Sequence, residues 1–470
     1  MAKKTAAPAA LEEKMKAALV PAEEQPYAVP ENWCWVRFGN LATEMADGPF
    51  GSNLKTEHYT SKKEVRIIQL SNIGDEGWRE ENTKYTTFHH AETIARSIVQ
   101  PGNLVIAKMM PAGRAIICPS GEAMYILSSD AVKVVPHQEL LNRFLCYSIN
   151  SFYFRNLVQE NTQGITRART SIKKLKLYPF ALPPLAEQRR IVDHIETMFA
   201  KLDEAKEKAQ AVIDGYEDQK AAILHKAFTG ELTVQWRIAN SLTMDSWQTE
   251  VLSSRFDITG GIQKTPARVP KDNPVPYITV ANVYRNYLDL SEIRYFEVTN
   301  EEISRLRLYD RDILIVEGNG SGNEIGRCAM WHNELPLCIH QNHIIRARAT
   351  NENTFPEYVL YYMNSPSGNR IIREKAVTTA GLYNLSVGKI KSIPAPFPTL
   401  PEQREIVRIL DDFLAKEAAV KEAAETTLAT IDTMKQSILS RAFRGELGTN
   451  DPNDEPAQEL LKRILNTAER

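Results

Sequence analysis

The chain has 470 residues, 43% hydrophobic and 25% charged, with a formal net charge of −2. This balance is that of a soluble globular protein of several domains and excludes a chain that is basic throughout, while leaving room for a local basic groove. Five cysteines without close pairs (Cys34, Cys118, Cys146, Cys328 and Cys338) exclude a disulfide framework and a zinc cluster, and read as reduced thiols in strands.

In chain order, residues 1–30 form an Ala/Lys/Glu-rich extension without a signal-peptide pattern. No segment of the chain approaches the ~20 apolar residues of a membrane span, which points to the cytosol. Residues 31–181 make a first block. It opens on Trp35-Val-Arg, carries a strand-like run ending in Asn over 65–72 and an apolar β-like run over 103–107. A helical segment over 139–158 and a basic stretch over 171–176 complete it. Residues 182–235 predict one long helix. A second block, 236–396, repeats the sequence of features: Trp247, a run over 276–282, another over 312–316, a helical segment over 355–377 and a basic stretch over 386–391. Residues 397–450 predict a second long helix. Residues 451–470 close the chain with a short amphipathic helix carried by Leu460, Leu461, Ile464 and Leu465, packing on the entrance of the first block. Each block reads as α/β or α+β.

The two long helices are copies. Residues 182–232 and 397–447 align without a gap at a constant offset of 215, with 20 identities in 51 positions. Pro183, Pro184, Pro398 and Pro401 mark the starts, and Thr399 followed by Glu402 has capping-box spacing in the second copy. Gly230 and Gly445 stand where a left-handed residue ends a helix. Inside, a 4-3 rhythm runs from Ile191 through Ile195 and Tyr216 to Ile223, and from Ile406 through Leu410, Val420 and Met434 to Ile438. Such a rhythm argues for a coiled coil in which the two copies are each other's partners. About 40 residues give a rod of roughly 60 Å. The helices repeat far better than the blocks, as two copies of a scaffold with two different reading heads would.

The order variable block, Pro-x-x-x-Glu-Gln helix ending Ala-Phe-x-Gly-Glu-Leu, variable block, same helix again resembles the specificity subunits of type I restriction–modification enzymes. Residues 182–188, 227–232 and 442–447 carry the match, as does 47–55 (DGPFGSNLK), which is similar to a common opening of the first recognition domain. The resemblance implies two α/β (α+β) recognition domains at opposite ends of an antiparallel coiled coil, an internal pseudo-two-fold repeat. Each domain would read half of a split duplex DNA sequence. The helices would set the gap and dock two adenine-N6 methyltransferase subunits, joined by restriction subunits that translocate DNA. Glu187, Gln188 and Arg189, with Glu402, Gln403 and Arg404, would meet those partners. The chain itself would be non-catalytic and hold no metal; S-adenosylmethionine, ATP and Mg would belong to the partner subunits.

The residues themselves offer no better catalytic reading. The only Pro-Pro candidate for a methyltransferase motif, Leu182-Pro183-Pro184-Leu185, lacks the polar and aromatic ends. The glycine-rich stretch 318–326 lacks the lysine of a phosphate loop. Asp312 and Glu317 approach a nuclease pattern, but Asn319 takes the lysine place and the first block has Asn103 and Lys108 in the corresponding strand. His89-His90 and His340/His343 lack convincing ligand partners. A stand-alone nuclease or methyltransferase is the alternative reading, and a DNA-free coiled-coil adaptor a third. DNA contacts call for Arg/Lys at guanine edges and phosphates and Asn/Gln at adenine. The first block offers Thr166, Arg167, Arg169, Lys173 and Lys174 in an acid-free stretch, and Ser52, Asn53 and Lys55 in a glycine-rich loop. The second offers Gln263 and Lys264, Asn319 and Ser321, Asn342, and Tyr383 and Asn384.

Overall fold

The computed structural model describes residues 8–122, 124–162, 169–322, 324–379 and 382–467, with the backbone alone at 8–10, 319, 377–379 and 382. Thr166 and Arg167 lie outside the described residues, as does the Asn319 side chain. The chain divides into two compact units, residues 1–208 with 426–470, and residues 209–425. Both crossings fall inside the long helices, Leu185–Thr229 and Leu400–Ala442.

The first unit contains a ribbon pairing Cys34–Arg37 with Pro179–Leu182. Beside it stands a four-stranded antiparallel sheet in the order Ala42–Asp47, Ala131–Pro136, Leu104–Ala107, Ala115–Ile117. A five-stranded mixed sheet is centred on Val65–Ile68, which runs parallel to Tyr125–Leu127. The second unit repeats this plan. Its ribbon pairs Gln248–Val251 with Pro394–Phe397. Its four-stranded sheet runs Phe256–Gly260, Ile344–Ala349, Ile313–Val316, Cys328–Met330. Pro274–Ile278 runs parallel to Ile339–His340 in a smaller mixed sheet. The apolar runs seen in both blocks become the buried central strands Leu104–Ala107 and Ile313–Val316, every residue of which is buried. Fully apolar runs suit strands covered on both faces.

The segments expected as single helices, 139–158 and 355–377, are each two helices. Asn142–Ile149 gives way to Phe152–Glu160, capped by Ser151 Oγ, and Pro356–Asn364 to Pro366–Lys375, capped by Ser365 Oγ. A serine that accepts the next turn's N–H competes with continuation of the helix, and Pro366 removes the donor that continuation needs. The basic stretches are likewise short capped helices, Ile172–Leu177 and Val387–Lys391, anchored by buried Leu175 and Ile390.

The long helices pair within each unit. In the first, Ile191 and Ile195 share a core with Ile438, Leu439 and Ala442. Lys435 lies over Phe199 and bonds Asp203, while Asn450 reaches back to Glu187, so the two segments run antiparallel. In the second, Leu224 and Phe228 share a core with Ile406, Val407 and Leu410. Lys421 lies over Tyr216 and Thr233 bonds Glu402, again antiparallel. Burial along the heptad seam is uneven. Ala209, Ala424 and Ile431 are buried, while Val420 and Met434 occupy seam positions yet are 49% and 50% exposed. Two helices alone cover only a narrow stripe.

Helix ends follow the expected stop signals. Gly445 has φ +74°, and Glu446 N–H and Gly445 N–H donate to the Arg441 and Ala442 carbonyls, a Schellman ending. Gly230, at φ +81°, ends the first helix. The capping-box spacing of Thr399 and Glu402 is not used: Thr399 Oγ1 is buried without a hydrogen bond and Glu402 turns elsewhere. The extension is built into the first unit, with helix Pro8–Ala18 against the C-terminal helix Ala457–Thr467. Val20 N–H donates to the Trp35 carbonyl, and Tyr27 stacks edge-on to Trp35 and Tyr153. The C-terminal helix buries Leu460, Leu461, Ile464 and Leu465 in the core of the first unit.

Candidate nucleic-acid interface

The repeated Glu-Gln pairs at the helix starts are internal clamps. Glu187, Gln188, Glu402 and Gln403 are all 0% exposed. Glu187 accepts from Trp33 Nε1 at 2.7 Å and Asn450 Nδ2 at 2.8 Å. Glu402 accepts from Trp247 Nε1 at 3.1 Å, Thr233 Oγ1 at 2.7 Å and Arg237 Nη1 at 2.6 Å. Gln188 donates to the Pro183 carbonyl and accepts from Leu141 N–H; Gln403 donates to the Pro398 carbonyl and accepts from Phe355 N–H. These four side chains therefore present no surface to a partner subunit, which corrects the docking role expected for them. A carboxylate and an amide bury here because every side-chain oxygen and nitrogen finds a partner within the chain. Arg189 and Arg404 stand on the exposed side of the same turns. The ribbon register also corrects the pairing of tryptophans: Cys34 faces Leu182 as Gln248 faces Phe397, so Trp33, not Trp35, is the counterpart of Trp247.

The candidate loops gather at one end of each four-stranded sheet, and the backbone there is the same in both units. Ser128 N–H donates to Ile68 O, as Gln341 N–H does to Ile278 O. Lys108 N–H donates to Asp130 O, as Glu317 N–H does to His343 O; Thr170 N–H donates to Lys108 O, as Leu385 N–H does to Glu317 O. Gly48 and Gly261 are equivalent, and an added Cβ would collide with the Ser128 or Gln341 carbonyl. Close backbone approach, not a turn angle, requires glycine at both places.

In the first unit a cleft of about 440 Å³ opens here, lined by the 49–54 loop, Gln69, Lys84 and Asp130 among others. Asp130 forms an ion pair with Arg169, and Lys108 Nζ lies 2.6 Å from Asp47 Oδ1. Ser52, Asn53 and Lys55 are exposed on the loop. His58 and His90, stacked with centroids 4.0 Å apart, brace it: His90 Nε2 bonds the Asn53 carbonyl and His58 Nδ1 accepts from Lys55 N–H. The acid-free stretch does not form one basic face. Arg169 pairs with Asp130 of the cleft wall, Lys174 turns to the Asn161 carbonyl, and Lys173 is exposed on its helix. In the second unit Gln263 and Lys264 are exposed beyond Ile262, whose carbonyl accepts from Asn342 N–H. Ser321 is exposed, Asn384 is exposed and Tyr383 half-buried, and the last two pair with 318–319 in a ribbon. Sequence reading missed Asp47, Gln69, Asp130, His58 and His90 as parts of this rim. They are far apart in the chain, and only strand pairing brings them together.

The nuclease-like acids have structural employment. Asp312 is fully buried, pairs with Arg348 at 2.6 Å and accepts from Tyr309 N–H, as Asn103 accepts from Gln100 N–H in the first unit. Glu317 faces His343 at 3.3 Å. Among the described residues no three His, Cys, Asp or Glu side chains are placed to hold a metal ion. All five cysteines are free, and burial pushes each thiol up to about 12. No described helix is long and apolar enough to cross a membrane.

Comparison with known proteins follows the same division. The chain is 28% identical over 324 residues to the type I restriction enzyme EcoKI specificity subunit of Escherichia coli K12, covering 66% of this chain and 67% of that one. It is 24% identical over 431 residues to the StySPI specificity subunit of Salmonella potsdam, covering 89% and 90%. Its fold is similar to the crystal structure of the HsdS subunit from Thermoanaerobacter tengcongensis, with TM-score 0.66 and 20% identity over 90% of this chain and all of that one. The family model described as type I restriction modification DNA specificity domain matches twice, over residues 55–213 and 244–427. One match falls on each recognition block and runs into the long helix that follows it, and the chain belongs to this family of type I restriction–modification specificity proteins.

Proposed function

We propose that this chain is the non-catalytic subunit that directs a type I restriction–modification complex to a bipartite duplex DNA sequence, one half read by each unit. The observation that carries this is the contrast between scaffold and rim. Clamps, glycines and backbone bonds repeat between the units, while the side chains at the loop ends do not. A catalytic centre made twice would repeat its chemistry; two readers of different half-sites would not. The two long helices set the gap between half-sites and offer like surfaces to two methyltransferase subunits, with Arg189 and Arg404 exposed at equivalent places for that docking. S-adenosylmethionine, ATP and Mg belong to the methyltransferase and restriction subunits, and the assembly works in the cytosol. Ser52, Asn53, Lys55, Gln263, Lys264, Asn342, Tyr383 and Asn384 stand on loops that approach the duplex.

The test is to express the chain with its methyltransferase partner and map N6-methyladenine across a genome. A single bipartite motif with a fixed gap is expected. Exchanging residues 31–181 for another recognition block should change one half and leave the other. Methylation without a bipartite motif, or methyl transfer by the purified chain alone, would overturn the proposal.

A further inference from the structure

Because the chain carries its scaffold twice, it supplies its own internal comparison at the rim. Polar residues that hold the scaffold recur. Asn72 and Asn282 each donate to two loop carbonyls, and Asn150 and Asn364 each bond both backbone groups of Ala115 or Cys328. Four positions on the same backbone bonds do not recur. Asp47, Lys108, Asp130 and Arg169 of the first unit correspond to Gly260, Glu317, His343 and Asn384 of the second, by strand register and by the loop bonds given above.

The first-unit set is two carboxylates each pinning one cation, so its net charge is zero. That is poor footing for phosphates, which favour unneutralised Lys and Arg. It suits a base edge, where a guanidinium must be fixed in direction. Asp130, on the cleft wall, holds Arg169 by Nη2; Arg169 Nε is buried without a hydrogen bond among the described residues, and the side chain remains 39% exposed. Among the described residues no group accepts from Nη1 at the outer end of the fork. A planar fork oriented by a carboxylate matches the two acceptors O6 and N7 of guanine in the major groove. The second unit has Asn384 and His343 in these places and no guanidinium.

We infer that Arg169, oriented by Asp130, reads a guanine in the half-site bound by the first unit, and that the second unit has no counterpart to this contact. The inference rests on the proposed role in bipartite recognition. Asp130 is a positioning residue, since it acts through Arg169.

The experiment uses the full chain in complex with its methyltransferase, and duplexes in which each guanine of the half-site set by residues 31–181 is replaced in turn by 7-deazaguanine, which lacks the N7 acceptor. One replacement should weaken wild-type binding about tenfold. Arg169→Ala and Arg169→Met should bind the normal and substituted duplexes equally, with discrimination in the other half-site unchanged. Asp130→Asn should reduce the discrimination at the same guanine. Arg169→Met keeps an unbranched stem without a donor, so its assembly with the methyltransferase separates lost reading from lost folding. If Arg169→Ala weakens all sequences alike and lowers the salt dependence, Arg169 is a phosphate contact and the inference is wrong. Full discrimination in Arg169→Met also overturns it. A wild-type complex with no bipartite motif sinks the parent proposal as well, whereas a bipartite motif indifferent to Arg169 sinks this inference alone.

Discussion

At the scale of single residues, buried charge is tolerated only where it is answered. Arg237 and Glu402 pair at 2.6 Å with exposures of 6% and 0%. Removing either partner leaves the other uncompensated, so Arg237→Leu or Glu402→Leu should each cost about 3–5 kcal/mol in urea unfolding. The double substitution should cost much less than the two together; additive costs would mean the pair is not coupled. His340 gives a sign that can be checked. It is fully buried, its Nδ1 bonds the Ile344 carbonyl, and Nε2 has no partner. Burial lowers its pKa from 6.5 to about 4. The unfolded chain therefore takes up the proton first as pH falls, and stability is lost between pH 6.5 and 4, by about 2 kcal/mol from pH 7 to pH 5. Leu127 fills this place in the first unit, pairing with Ile68 as His340 pairs with Ile278. His340→Leu should flatten that part of the pH profile; an unchanged slope between pH 7 and pH 5 would show that another group is responsible.

At the scale of elements, the long helices owe their order to different neighbours along their length. Ile195 and Leu410 are fully buried in the cores of the first and second units. An aspartate at either should destabilise its unit by more than about 3 kcal/mol, because it removes a packed side chain and buries a charge. Val420 and Met434 lie on the same predicted seam but are half exposed, so Val420→Asp and Met434→Asp should leave unfolding nearly unchanged. Co-purification with the methyltransferase then becomes informative. Loss of the complex in these two stable variants would place the docking surface at these exposed seam positions; retention would place it elsewhere on the helices. The rhythm in the sequence identified which residues could face a partner helix. It did not show which of them are covered: Ala424 and Ile431 are buried between the exposed Val420 and Met434.

For the whole molecule, the chain passes between its units only inside the two long helices. If these helices set the distance between half-sites, inserting one heptad into each should lengthen the methylated motif's gap and leave both half-sites as they were. Altered half-sites with an unchanged gap would contradict the spacer role. Both chain ends belong to the first unit, whose core includes Ala18 and Val20 near the start and Ala457 to Leu465 near the end. Among the described residues the second unit has no such terminal helices, and its mixed sheet has three strands where that of the first has five.

What the sequence by itself determined was the periodic pattern and the strongest local stops. The two helices, their glycine stops at Gly230 and Gly445, the apolar strands at 104–107 and 313–316 and the 215-residue offset are all written in short-range spacing. What only the tertiary structure decided was where polar side chains point. Glu187, Gln188, Glu402 and Gln403 look like solvent-facing helix-start residues in one dimension, yet they are buried because Trp33, Trp247, Leu141 and Phe355 arrive from other elements to satisfy them. Arg169 and Asp130, 39 residues apart in sequence, likewise meet only through the loop contacts at the end of the sheet. Periodicity records which face of an element is apolar, whereas hydrogen-bond partners distant in sequence are fixed by strand register and packing, which no local pattern encodes.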